Sequence, residues 1–229
     1  MKAVVLASGG LDSAVTAAMA KRDGNQLYLL TLEYGQRHHI EITRAQRIAE
    51  WLEACEHKVV RLDLSVFGQS ALTDEIAVPK NRSVAQREDG IPCTYVPARN
   101  TIFLSLALAY AEVVQAEAIF IGANIRDYSG YPDCRPEFLK AFSEVGRLGT
   151  KRGVEGCPLE VKAPLLMMTK ADIIRQGQDL QVPFEWTHSC YDPHADGLAC
   201  GQCDSCLIRL EGFREVGMKD PVDYVPGIK

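Results

Sequence analysis

Several things this 229-residue sequence lacks limit what it can be. No stretch approaches the roughly 20 consecutive apolar residues that a membrane-spanning helix needs. No signal-peptide pattern opens the chain, because Met1-Lys2 runs straight into an apolar, strand-like run. A cytoplasmic protein with no membrane partner is therefore the expectation. Positive charge is not in excess: 25 Lys and Arg face 30 Asp and Glu, a net charge of −5. That balance argues against a general nucleic-acid-binding face. There is no internal repeat and no low-complexity tract, which removes solenoids and biased tails from consideration. What remains is a chain whose 47% hydrophobic content can bury a sizeable core.

Cysteine is the residue type not in short supply. Eight are present, and Cys190, Cys200, Cys203 and Cys206 fall within 17 residues. In a chain this large without a secretion signal, metal binding is a better reading than disulfides. Two overlapping C-x-x-C pairs can chelate one ion, with Cys190 closing a tetrahedron. Four thiolates with no open position describe a structural Zn²⁺ site. An iron–sulfur cluster is the second metal reading, and a redox C-x-x-C pair or buried free thiols are the non-metal ones.

The first half alternates strand and helix patterns. Ala3–Ala7, Gln26–Leu32, His57–Leu62 and Ala118–Ile121 read as buried strands. Leu11–Lys21, His39–Ala54, Arg99–Val114, Arg135–Arg147 and Thr169–Gln176 read as helices. Val161–Leu166 reads as a short extended piece, and a last helix is expected over Cys206–Glu215. Ser65–Pro97 has no clear period and reads as a long loop or lid. The expectation is an α/β fold with a doubly wound, mainly parallel sheet and a C-terminal zinc-binding segment. Residues 1–180 would form the α/β domain, with residues 181–229 packed on it. Ligands in such sheets bind beyond the carboxyl ends of the strands. The loops Ser8–Asp12, Glu33–Arg37 and Ala123–Arg135 should then share one rim.

At the first strand-to-helix turn stands Ser8-Gly9-Gly10-Leu11-Asp12-Ser13. Glycines let the backbone approach an anion, and the N–H groups at the helix start point at it. No Walker-type lysine follows. The sextet resembles the SGGxDS loop of the PP-loop ATP-pyrophosphatases, a Rossmann-type fold of the adenine-nucleotide-hydrolase kind. That resemblance implies ATP cleaved between the α and β phosphates. Elsewhere, Arg99 and Asn100 open an apolar helix, where they can meet an anion or merely cap it. Lys170 is a candidate phosphate contact or a surface lysine. Gln36 and Arg37 can line a nucleotide pocket or make a turn. The loop from Gly122 to Arg135 carries Tyr128 or Tyr131 to stack on a base. Asp133 can accept from a guanine-like edge, and Arg126 or Arg135 can pair with a carboxylate, or Gly130 and Pro132 make an ordinary turn with solvated charges.

SGGLDS, YGQRH, VPARN, SGYPDCR, APLLMMTK, SCY and CGQCDSC occur in the order and spacing of the 7-cyano-7-deazaguanine synthases. The likeness covers Leu6 to about Pro221. Two positions depart from the family pattern: Ala98 stands where many members have glycine, and His188 where tryptophan or leucine is common. The resemblance implies an ATP-dependent, C–N bond-forming ligase acting on 7-carboxy-7-deazaguanine and ammonia. Adenylated acid and amide intermediates lead to a nitrile, for queuosine biosynthesis. It implies ATP contacts by Ala7, Ser8, Gly9, Gly10, Leu11, Asp12, Ser13, Ala14, Val15, Thr16, Ala17, Arg99 and Asn100. Ser8, Asp12, Ser13 and Lys170 would serve the chemistry, and Tyr131, Asp133 and Arg135 would hold the substrate. Mg²⁺ would accompany the phosphates, one structural Zn²⁺ would sit on the four cysteines, and the chain would form a homodimer. No glutaminase half is evident, so free ammonia is the expected nitrogen source. Three rival readings are a tRNA thiolase of the same superfamily, a non-catalytic zinc-stabilised nucleotide-binding module, and a relative that transfers the deazaguanine to a protein.

Overall fold

A computed structural model describes residues 1–37, 39–87, 89–126 and 130–227. Five parallel strands form one sheet in the order β3-β2-β1-β4-β5. These are β1 (Lys2–Leu6), β2 (Gln26–Glu33), β3 (Glu56–Arg61), β4 (Ala118–Phe120) and β5 (Glu160–Lys162). The helices are α1 (Leu11–Arg22), α2 (Ile40–Trp51), the single turn α3 (Val84–Arg87), α4 (Arg99–Val114), α5 (Pro136–Gly149), the single turn α6 (Lys151–Val154), α7 (Lys170–Asp179) and α8 (Asp204–Glu215).

The period-two alternation of the strands sorts their side chains between two cores. Ala3, Val5, Leu27, Leu29, Ala118 and Phe120 face one layer, with residues of α1, α2, α7 and α8. Val4, Leu6, Leu30, Leu32 and Ile119 face the other, with residues of α4 and α5. Both faces are covered, which explains why these strands read as unbroken apolar runs.

The expected elements are present with shifted ends. The piece expected over Val161–Leu166 pairs only through Lys162, because residues 164–167 turn to lead into α7. Arg135 lies outside α5 as its N-cap, since Pro136 takes the first helical position. The last helix begins at Asp204, two residues earlier than expected. The long segment after β3 carries a 3-10 turn at Ser65–Phe67 and the turn α3. It docks on the cysteine segment through an antiparallel bridge between Lys80 and Cys203. Among the described residues, no helix is long and apolar enough to cross a membrane.

The chain runs β1, β2, β3 to one side of β1, then returns to place β4 on the other. The crevice between the carboxyl ends of β1 and β4 is the switch point of the sheet, where open α/β folds bind ligands.

Candidate active site

β1 ends in the glycine loop. Gly9 has φ +80°, and a Cβ there would lie 2.2 Å from the Glu41 carbonyl oxygen and 2.9 Å from the Ala45 nitrogen. The first turn of α2 is therefore seated directly on the loop. The Ser8 and Ser13 hydroxyls lie 3.1 Å apart; Ser13 donates to the Gly10 carbonyl at 3.0 Å, and the Gly10 N–H donates to Ser8 Oγ at 3.2 Å. The N-cap, Gly10, makes no side-chain cap. The first-turn N–H groups of α1 are thus left to an incoming anion. Lys170 Nζ reaches across from α7 to Asp12 Oδ1 at 2.6 Å. Thr169 and Asp172 close a capping box that aims this lysine.

One cleft joins this loop to the other rim loops. Its lining includes Ala7, Ser8, Gly10, Leu11, Asp12, Ser13, Tyr34, Gln36, Arg37, Arg99, Asn100, Tyr131 and Lys170, so the three expected rim loops do converge. Ala14, Val15 and Ala17 lie outside the lining, packed in the core one turn along α1, and Thr16 is fully buried. Gly9 faces α2 instead.

Asp133 and Arg135 also lie outside the lining. A 3-10 turn at Pro132–Cys134 folds the Asp133 carboxylate back against α4, where it accepts the Asn100 N–H at 3.0 Å. The Asn100 amide donates to the Asp133 carbonyl at 3.1 Å and to Cys134 Sγ at 3.3 Å. Arg135 points outward and is exposed. Tyr128 and Asp127 lie outside the described residues, as does His38 of the second rim loop. Gln36 accepts the Tyr34 N–H at 2.7 Å, and Arg37 donates to the carbonyls of Asp74 and Ile76. Arg37 thus ties the long segment to the rim.

Ala98 adopts φ +53° just ahead of α4. This is left-handed backbone, where a glycine fits without the roughly 1–2 kcal/mol cost of a Cβ. Arg99 follows. Burial works against its charge, but Tyr34, Tyr131, Asp133 and Cys134 around it more than compensate, so it stays a cation. Burial pushes the Tyr34 hydroxyl up to about 12. Burial and nearby Asp133 push the Cys134 thiol up to about 11, so at neutral pH it is no nucleophile. Glu41, Leu72 and Phe103 also line the cleft and carry no sequence signal of it. Burial raises the Glu41 carboxyl to about 7, and Arg99 opposes that shift.

The cysteine segment closes the cleft. The His188 N–H donates to the Gly9 carbonyl at 2.9 Å, and Cys190 joins the lining. Sulfurs on a tetrahedral zinc, bonded at about 2.3 Å, would stand roughly 3.8 Å apart. The four Sγ atoms lie within 4.8 Å of one another, and all four residues are buried. Backbone N–H groups donate to three of the sulfurs: Cys200 N to Cys190, Tyr191 N to Cys203, and both Gln202 N and Cys203 N to Cys200. Such donors favour thiolates. Hydrogen bonding within the set holds Cys200 and Cys203 below the ordinary thiol range and Cys190 and Cys206 above it. A cation is what lets all four ionise. The residues therefore fit a four-thiolate metal. Arg209 anchors the segment from α8. It bonds Asp220 through Nε at 2.7 Å and Nη2 at 3.0 Å, and donates to Thr187 Oγ1 at 2.7 Å.

A family model described as queuosine biosynthesis protein QueC matches residues 2–217. The chain is 57% identical over 226 residues to the 7-cyano-7-deazaguanine synthase of Desulfatibacillum aliphaticivorans, covering 98% of this chain and 97% of the relative. It is 58% identical over 222 residues to the 7-cyano-7-deazaguanine synthase of Kineococcus radiotolerans, covering 97% of each. Among solved structures, the fold is similar to an NMN synthetase from Francisella tularensis. The TM-score is 0.51 at 18% identity, over 95% of this chain and 77% of that one.

Proposed function

The chain belongs to the queuosine biosynthesis QueC family and is an ATP-dependent ligase; from that premise we propose how its cleft turns a carboxylic acid into a nitrile. The substrate is 7-carboxy-7-deazaguanine, with ATP and free ammonia as co-substrates and Mg²⁺ accompanying the phosphates. A carboxylate is a poor acyl donor because its leaving group would be oxide. Attack of its oxygen on the α-phosphate of ATP replaces that leaving group with AMP and releases pyrophosphate. Ammonia displaces AMP to give the amide. A second adenylation, now on the amide oxygen, followed by loss of AMP, gives the nitrile.

The observation that carries this reading is the shape of the one cleft. Its lining brings together the glycine loop, the first turn of α1 and Lys170. Arg99 and Tyr131 line the same cleft. Ser8, Gly10, Leu11, Asp12 and Ser13 hold the departing pyrophosphate through hydroxyls and backbone N–H groups, and Lys170 adds positive charge to it. Arg99 presents a guanidinium fork to the substrate carboxylate, and Tyr131 stacks on the base. Asn100 lines the pocket with its backbone held by Asp133, so Asp133 acts through Asn100. Arg135 has no part in this scheme. Catalysis is mainly positioning and charge stabilisation.

Zn²⁺ on Cys190, Cys200, Cys203 and Cys206 is structural and supplies no chemistry beyond holding the segment that closes the cleft. The working form is a cytoplasmic homodimer. The test is incubation with ATP, ammonium and 7-carboxy-7-deazaguanine. Mass spectrometry should find the amide and then the nitrile, with AMP and pyrophosphate released. Turnover that gives ADP and phosphate, or no nitrile, would overturn the scheme.

A further inference from the structure

Three protons must leave nitrogen between ammonia and nitrile, and the residues so far assigned bind anions rather than protons. In the first half-reaction a C–N bond forms, the bond from carbon to the AMP oxygen breaks, and the nitrogen of the former ammonia loses one proton. In the second, the adenylated amide is an iminium that carries two N–H protons. Both leave as the carbon–oxygen bond breaks. The oxygen keeps its electron pair as AMP, and the nitrogen electrons complete the triple bond. Each step needs a proton acceptor at the reacting carbon.

Two carboxylate side chains line the cleft among the described residues, those of Asp12 and Glu41. Asp12 is held by Lys170 at 2.6 Å. Asp133 lies outside the lining, behind Asn100. No hydrogen bond to the Glu41 carboxylate is formed among the described residues, and the side chain is partly open to solvent. Its place in the fold is specific. The Glu41 carbonyl bears on Gly9, so α2 enters over the phosphate loop. From there the side chain faces Arg99, which also faces Tyr131 and Cys134. Glu41 thus touches the phosphate loop through its backbone and faces Arg99 through its carboxylate. The carbon bonded to an α-phosphate must lie between the group that holds the phosphates and the group that holds the carboxylate, which are the loop and Arg99 in the reading above.

We propose that the Glu41 carboxylate is the base that accepts the protons released by the substrate nitrogen, one at a time, and passes each to solvent. This assignment rests on reading the cleft as an adenylating, nitrile-forming centre. Arg99 from α4 and Tyr34 from the end of β2 face the carboxylate. Arg37, Asp12, Lys170 and His188 line the same cleft. Burial holds the Glu41 carboxyl near 7. It is therefore divided between acid and base at working pH, which suits a group that must both take and release a proton.

The test separates adenylation from proton removal. Glu41→Gln keeps size and hydrogen bonding but cannot accept a proton. With the acid, ATP and no ammonium, exchange of radiolabelled pyrophosphate into ATP should proceed in the variant as in the wild type. Conversion of supplied amide to nitrile should fall by about 10²-fold or more. Wild-type kcat/KM for that half-reaction should rise with pH through about 7, because the deprotonated carboxylate is the active form. Glu41→Gln should lose that acid limb, and Glu41→Asp should keep it at a reduced rate. An acid limb that survives in Glu41→Gln would overturn the assignment, as would an undiminished nitrile rate. Loss of pyrophosphate exchange together with the nitrile would also overturn it, pointing to a structural role under the loop. A wild type that exchanges no pyrophosphate and makes no nitrile would instead remove the reading on which the assignment rests.

Discussion

Gly9 shows how closely one residue can be specified. Its φ of +80° suits glycine, and the space where a Cβ would stand holds the backbone of α2. Gly9→Ala therefore has two separate costs. The left-handed conformation costs about 1–2 kcal/mol. Overlap with the Glu41 carbonyl and the Ala45 nitrogen forces α2 off the loop, at about another 1–3 kcal/mol. The expected outcome is a lower thermal midpoint together with loss of ATP binding, read by melting and by nucleotide titration of the same sample. A variant that melts lower yet binds ATP normally would show that the loop tolerates movement of α2. Gly10 stands next to it with an ordinary φ, so the two glycines of the motif are not equivalent. The sequence shows two glycines; only the fold shows that a Cβ would overlap backbone at Gly9 and be merely tight at Gly10, 3.3 Å from the His188 carbonyl oxygen.

At the scale of elements, α7 ties local capping to the site. The Thr169 hydroxyl accepts the Asp172 N–H at 3.2 Å, and Asp172 accepts from the Thr169 N–H and hydroxyl at 3.1 and 2.7 Å. Lys170 is the first residue inside that cap. Thr169→Ala should cost about 1 kcal/mol in denaturant unfolding at neutral pH, and it should raise the KM for ATP by loosening Lys170. The Thr169 hydroxyl and N–H hold the Asp172 carboxyl below the ordinary aspartate value. A depressed carboxyl stabilises the fold above its unfolded value, about 3.9, and that stabilisation fades as pH falls through the lower folded value. The gap between wild type and Thr169→Ala should therefore shrink in acid. A gap of constant size would mean that the carboxylate contributes little. The start of α7 at Thr169 was legible because a cap is a local pattern, three residues wide. The strands were legible for a similar reason, as apolar runs buried on both faces. Strand order was not, since which strand flanks β1 depends on how the crossovers pack. Asp133 and Arg135 read as ligand groups because their loop follows a buried strand. The 3-10 turn at Pro132–Cys134 sends Asp133 against α4 and leaves Arg135 exposed. Glu41 looked like any polar residue of a helix, because its role comes from α2 crossing the glycine loop. The four cysteines were fully legible, because chelation by C-x-x-C pairs needs sulfurs close in sequence.

Across the whole molecule, the cysteine cluster is where three parts of the chain meet. The segment that carries it donates to the phosphate loop through the His188 N–H. It receives the long segment after β3 through the Lys80–Cys203 bridge, Asn81 N to the Gln202 carbonyl at 2.8 Å, and the ion pairs Arg82–Asp204 and Arg87–Glu211. Ala71 and Val78 of that long segment pack against the cysteines themselves. The two main cores on either side of the sheet contain none of the four. In zinc-finger peptides Zn²⁺ contributes about 10–16 kcal/mol, comparable with the roughly 5–15 kcal/mol net stability of a whole domain. Loss of the zinc proposed on these four cysteines should therefore be felt beyond the knuckle, but along the contacts just named. On chelation, hydrogen-exchange protection should fall over residues 190–207 and also over residues 70–87, while β1, β2 and β4 stay protected. Arg37 should then lose its hold on Asp74 and Ile76, opening one wall of the cleft and ending nitrile formation. Added zinc should restore protection in both segments and activity together. Cys203→Ser should give the same exchange pattern without a chelator and without recovery on adding zinc. If residues 190–207 open while residues 70–87 stay protected, the long segment is held by its ion pairs alone, and the metal has no reach into the cleft wall.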